Sequence, residues 1–331
     1  MTGQSVRKII AAAVFFSAVT CNGYAAGDEV DPWVYPDNER APAASDIWLP
    51  IVSFVLPGAG QWARSQPGYG SAYSGIAIAG VYYAANASGD LQDDDRKNAD
   101  IGSKNIALRK YTLGLQTAQS MGGLSLYHTF RSAVWQRQKY GQYTFLGNGE
   151  HPSDILLAPF RFDYLTRSST WIPLTVAAGV TAYAVNHPDK GFRRVSLQPA
   201  DPAFAAGFSY NAGTHEEAVF RGWLMPLLHE AGLSNSMANL AQSTVFALAH
   251  LGSNPVPLPQ FLLGLHFGHL TATSHWTISE SIFIHAWWDV IAFTGNYYLE
   301  KTKTKSASIR HPHDQGPSAI PFILPAINLA F

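Results

Sequence analysis

Cysteine is all but missing. Cys21 stands alone among 331 residues, which excludes an internal disulfide and any cysteine-rich zinc site. Charge is scarce too. Asp, Glu, Lys and Arg make up 14% of the chain, against about a quarter in an ordinary soluble protein. The formal net charge is -1, so no basic excess marks nucleic acid as a partner. No internal repeat is visible. What abounds is apolar sequence, 47% of the residues, gathered in blocks that polar stretches separate. Those stretches bring the mean hydropathy down to -0.02. The blocks predict an all-α fold, a polytopic transmembrane helical bundle whose spanning segments satisfy their own backbone.

Residues 1–25 read as a signal peptide or a first anchor. Arg7 and Lys8 precede the apolar run 9–19, and Gly23-Tyr24-Ala25 offers a cleavage site after Ala25. A polar extramembrane segment follows at 26–46, then an N-terminal helical membrane region at 47–186. Within it, 47–55 and 69–87 form a helical hairpin that turns near Arg64, with the acidic cluster Asp93, Asp94 and Asp95 beyond. The second of these helices is long enough to cross a bilayer. Segment 106–137 has helical periodicity but carries Arg109, Lys110, Gln116, His128 and Arg131, which predicts an amphipathic or interfacial helix. Segment 187–202 reads as a linker. Helical candidates then occupy 203–231, 237–251, 258–273 and 278–299, and 300–331 is a basic loop with an apolar tail. Lys301, Lys303, Lys305 and Arg310 put the end of the last helix on the cytoplasmic side. This is the pattern of an integral protein of a bacterial inner (cytoplasmic) membrane.

Two adjacent glutamates, Glu216 and Glu217, lie in the apolar stretch His215-Glu216-Glu217-Ala218-Val219-Phe220-Arg221. An ionised carboxylate buried there costs several kcal/mol unless something pairs with it. Helical neighbours point about 100° apart, while residues four apart share a face. Glu217 therefore stacks beside Arg221 and can pair with it, and Glu216 is directed elsewhere without a local cation. The same spacing recurs downstream. Phe246 and His250 share a helix face, as do His285 and Asp289, and Gly264 and Gly268 form a smooth strip for close helix packing.

The order Glu-Glu-x-x-x-Arg, Phe-x-x-x-His, Gly-x-x-x-Gly, His-x-x-x-Asp resembles the CPBP intramembrane proteases. That group includes the type II CAAX prenyl endopeptidases and relatives associated with bacteriocin processing and immunity. The resemblance covers 203–299, which would be the protease core. It implies an intramembrane endopeptidase that hydrolyses a peptide bond of a membrane-associated protein or peptide in a water-filled pocket between helices. Glu216 would be the general base, polarising a water together with His250. His285 and Asp289 would stabilise the oxyanion, and Glu217, Arg221 and Phe246 would support the site.

Asp289 departs from the asparagine that many members carry. An aspartate donates a hydrogen bond only when protonated. Either Asp289 is neutral, or it orients His285, or it ligates a metal. The glutamate scheme needs no cofactor. The alternative is a divalent metal such as zinc held by Glu216, His250, His285 and Asp289, a mixed N/O set that zinc accepts. Two other classes compete. A non-catalytic immunity or regulatory scaffold would lack the base or the histidines, and all are present. A transporter calls for inverted repeats or a second set of buried charges in the first half, and the sequence suggests neither.

Overall fold

The computed structural model describes residues 43–91, 105–147, 150–189, 191–251 and 257–301. The expected leader, the Asp93–Asp95 cluster and the tail beyond Lys301 lie outside these residues. The described residues are mostly helical. In chain order they form α1 (Ser45–Val55), α2 (Ala59–Ala63), α3 (Pro67–Ser88), α4 (Ile106–Gln138), α5 (Pro152–Leu157), two 3-10 turns and α6 (Ser168–Asn186). Then come strand β1 (Phe192–Arg194), α7 (Asp201–Val219), α8 (Met225–Glu230), α9 (Asn235–Ala249), α10 (Leu258–Thr273), α11 (Ser279–Tyr297) and strand β2 (Leu299–Lys301). A π-helical turn, Phe220–Leu224, joins α7 to α8 without a break.

Helix starts follow local chemistry. The Asn105 side chain accepts from the backbone N–H groups of Ala107 and Leu108 at 2.9 and 3.2 Å, capping α4. Ser234 caps α9 through Met237. Pro202 and Pro259 occupy first turns, where a missing N–H costs nothing.

α4 is the central element, and α1, α3 and α7 pack along it. This corrects the interfacial helix expected for 106–137. Its polar residues meet partners inside the protein instead of water. Arg109 donates to Asp201 at 2.6 Å with both side chains fully buried, and its guanidinium lies 4.0 Å from the Tyr297 ring centroid. Asn211 of α7 donates to Thr117 at 3.1 Å, and Ser120 donates to the Asn211 carbonyl at 3.1 Å. The first half therefore does hold buried charge, contrary to the sequence reading. Asp46, Arg109, His128 and Arg131 are all buried. Arg109 reaches into the second half, and Asp46 is bonded by Arg64 at 2.8 Å across the first hairpin.

α11 packs between α7 and α6. Beyond these helices, β1 and β2 pair antiparallel, with Arg193 opposite Glu300. A segment read as linker thus contributes a strand, and the last helix stops at Tyr297 rather than running to residue 299. The packing of α6 on α11 brings their trailing chains together, and extended backbone then bonds its nearest neighbour.

Among the described residues no helix is long and apolar enough to cross a membrane. α3, expected to span, has 22 residues, but Gly, Ala, Ser and Tyr take up much of its length.

The Arg109–Asp201 pair should dominate the stability of the α4–α7 contact. Arg109→Ala is expected to cost about 3–5 kcal/mol in denaturant unfolding, because it leaves a buried carboxylate without its cation. The paired change Arg109→Met with Asp201→Leu should cost markedly less. A single-variant loss below about 1 kcal/mol would show that the pair is dispensable.

Candidate active site

Glu216 and Glu217 occupy the last turn of α7, immediately before the π-helical turn. The N–H of Phe220 reaches both the Glu216 and Glu217 carbonyls where α7 meets the π-helical turn. π-helical turns are rare and cluster at functional sites. Glu217 accepts from Arg221 at 2.9 Å, with both side chains fully buried. The pair read from the i,i+4 spacing is therefore present.

His250 ends α9, and its Nδ1 lies 2.7 Å from the Phe246 carbonyl oxygen. A carbonyl only accepts, so Nδ1 carries the proton. His285, in α11, places Nδ1 2.8 Å from Glu217 Oε1. An ionised Glu217 imposes the same tautomer there. Each ring consequently turns Nε2 toward Glu216. Glu216 Oε2 stands 3.8 Å from His250 Nε2 and 3.7 Å from His285 Nε2. Asp289 Oδ2 lies 3.6 Å from His285 Nε2. These gaps exceed a direct hydrogen bond and suit a bridging water. Glu216 Oε2 and Asp289 Oδ2 are buried and have no hydrogen-bond partner among the described residues. The four side chains sit nearly closed off, with Glu216, His250 and His285 each 7% exposed and Asp289 3%.

Three carboxyl groups and two imidazoles thus share the site with one fixed cation, Arg221. With all three carboxyls ionised, the cluster is neutral only if it holds two protons on the imidazoles; each carboxyl that is itself protonated removes the need for one. In low dielectric these protons are shared among coupled groups. Of the three roles left open for Asp289, orienting His285 through Nδ1 falls to Glu217 instead. Asp289 faces the opposite edge of that ring.

Aromatic rings complete the enclosure. Phe246 stands edge-on to His250, with centroids 4.6 Å apart, and lies 4.4 Å from the Arg221 guanidinium carbon. Phe267 stacks on His285 at 5.5 Å and lies 5.3 Å from the same guanidinium. Arg221 thus has rings to meet as well as its carboxylate. Phe267 was missed in the sequence. The only available signal was its place beside Gly268 in the small-residue strip. Gly264 and Gly268 bring α10 close to α9. A Cβ on Gly268 would fall 1.9 Å from Asn239 Oδ1, and one on Gly264 would fall 3.0 Å from Ser243 Cβ.

Two other histidines of this half bond to backbone carbonyls. His215 Nδ1 meets the Asn211 carbonyl at 3.0 Å, and His266 Nε2 meets the Ser169 carbonyl at 3.1 Å. Among the described residues no group of three or more His, Cys, Asp or Glu side chains is arranged to hold a metal ion.

Residues 198–291 match the family described as type II CAAX prenyl endopeptidase Rce1-like. The match covers less than a third of the chain and supports the CPBP and CAAX protease family. No curated protein and no solved structure matched the chain. The Rce1-like region begins just before α7 and ends within α11, two residues beyond Asp289. It takes in all four clustered side chains. The family it matches is a protease family.

The two glutamates should part company in stability. Glu217→Ala leaves Arg221 buried without its nearest carboxylate and is expected to cost about 3–5 kcal/mol. Glu216→Gln removes a buried carboxylate whose nearest imidazoles stand 3.7 and 3.8 Å away, beyond direct hydrogen bonding, and should change stability by no more than about 1 kcal/mol. Melting temperatures of the two variants decide this. A Glu216→Gln variant melting below Glu217→Ala would reverse the assignment.

Proposed function

We propose that the protein is a glutamate-dependent endopeptidase that cleaves a membrane-associated protein or peptide. The observation that carries this reading is the convergence of both Nε2 atoms on Glu216 Oε2, which makes no direct hydrogen bond. A water among these three atoms gives its proton to Glu216 while its oxygen attacks the scissile carbonyl carbon. His250 helps to orient that water. The carbonyl oxygen gains negative charge as the tetrahedral intermediate forms. Protonated His285 donates to it, and a neutral Asp289 would donate beside it. Collapse breaks the C–N bond, and the proton on Glu216 passes to the leaving amine. The products are a carboxylate and an amine. Glu217 keeps the His285 ring in place throughout.

Membrane placement is part of the same proposal. Trp171, Ile172, Val176 and Val180 on α6 are exposed, as are Ile78, Val81 and Tyr82 on α3 and Leu258 and Leu262 on α10. Apolar side chains of this size, repeated along successive turns, favour lipid over water. The family description supports a CAAX-type substrate, a peptide carrying a prenyl group. The leader-like N-terminus favours an exported, membrane-bound one.

Purified protein should cleave quenched fluorescent CAAX-type peptides, prenylated or plain, presented in lipid vesicles. Glu216→Gln should lower the rate by about 10²-fold or more, while a chelator should leave it unchanged. Unchanged cleavage by folded Glu216→Gln would remove Glu216 as the base. Chelator inhibition reversed by zinc would replace the mechanism with a metal-assisted one. Carbonate extraction should leave the protein in the membrane pellet.

A further inference from the structure

α11 carries both His285 and Asp289, and its start has an unusual support. The first N–H groups of any helix lack intrahelical acceptors. Here the residue before the helix, Ile278, offers no side-chain cap. The acceptor comes from far away in sequence. Glu150 Oε1 accepts from the Ser279 N–H at 2.9 Å, and Oε2 accepts from the Ile278 N–H. Glu150, Ile278 and Ser279 are all buried. Burial pushes the Glu150 carboxyl above the usual carboxylate range, and the hydrogen bonds from Ser279 and Ile278 pull against it.

The turn just before is strained. His275 and Trp276 have φ of 54° and 61°, in the left-handed region that costs a residue with a Cβ about 1–2 kcal/mol. Rings hold it there. Trp276 lies 4.7 Å from Phe145 and stacks on His229 at 5.2 Å. The loop that supplies Phe145 and Glu150 is itself anchored on both sides. Arg131 of α4 donates to the Gly147 carbonyl at 2.9 Å, and the Tyr143 N–H donates to Glu230 of α8 at 2.8 Å.

We infer that Glu150 is a positioning residue of the active site, a clasp from the α4–α5 loop that sets the register of α11 and so the placement of His285. His285 lies six residues beyond Ser279, about 9 Å along the helix at 1.5 Å per residue. A small rotation at the clasp therefore becomes a displacement of the imidazole relative to Glu216 on α7. The catalytic consequence rests on the protease reading above, whereas the clasp itself does not.

Glu150→Gln keeps the side-chain shape but replaces one acceptor oxygen with an amide that opposes an N–H donor. The full-length variant, labelled with ¹⁵N-histidine in detergent micelles, should keep a cooperative melt. Its His285 ring resonances should shift while those of His250, on α9, stay in place. With a prenylated CAAX-type peptide, kcat should fall on the order of 10-fold to 100-fold and KM should stay within about twofold. Hydrogen exchange on the wild type gives a test independent of any variant's folding. The Ile278 and Ser279 amides should be slow to exchange although they begin a helix. Fast exchange at both amides would overturn the clasp. So would unmoved His285 resonances with unchanged kcat, or an equal shift at His250. A wild type that cleaves none of the peptides would count against the protease reading, and the amides and the His285 resonances would still decide the clasp.

Discussion

One oxygen atom organises the site. Glu217 Oε1 accepts from Arg221 at 2.9 Å and from His285 Nδ1 at 2.8 Å. The first contact is made along one helix, and the second reaches another helix 68 residues later in the chain. Without the carboxylate, Arg221 would be a charge buried against rings alone, and His285 would lose what fixes its tautomer and tilt. Because Nδ1 is committed to Glu217, Nε2 is the edge that meets Glu216. The division of labour between the two glutamates therefore has a physical basis. Glu217 is bonded twice through Oε1 and holds the geometry, while Glu216 Oε2 makes no direct hydrogen bond where both Nε2 atoms converge.

Such an arrangement is costly, and the surroundings show how the cost is contained. Phe246 and Phe267 meet the Arg221 guanidinium and also pack against the imidazoles, so two rings serve cation and imidazoles together. Close approach of α10 to α9 at Gly264 and Gly268 puts Phe267 within reach of His285. The buried, unpartnered oxygens of Glu216 and Asp289 are what a site prepared for an incoming substrate would retain, since reactive groups that are fully satisfied have little left to offer.

The first half of the chain has a part in this that its sequence conceals. α4 is buried along most of its length and bonds to α7 through Arg109, Thr117 and Ser120. The loop after it clasps the beginning of α11 through Glu150. The helices that carry Glu216 and His285 are thus both braced from outside the Rce1-like region. The Rce1-like region is held in place by neighbours outside the family match.

Much of the site was legible because its signals are local. Helix periodicity placed Glu217 beside Arg221, Phe246 beside His250 and His285 beside Asp289. The small residues at 264 and 268 marked a close packing face. The helices themselves followed from apolar blocks ended by Pro, Gly and polar caps. What was misread depends on partners distant in sequence. Arg109, His128 and Arg131 looked like an interfacial stripe on α4, because nothing nearby in the chain reveals that Asp201 or a loop carbonyl will meet them. Phe267 and Glu150 carry no motif and become meaningful only once α10 and α11 are in place. The sequence by itself determined the helical elements, the glutamate pair and the family pattern, all of which depend on spacings of a few residues. Only the tertiary structure decided that Glu217 orients His285, that Asp289 faces its other edge, and that α4 is core. Those facts depend on which helices touch, and burial rewards contacts that chain order does not record.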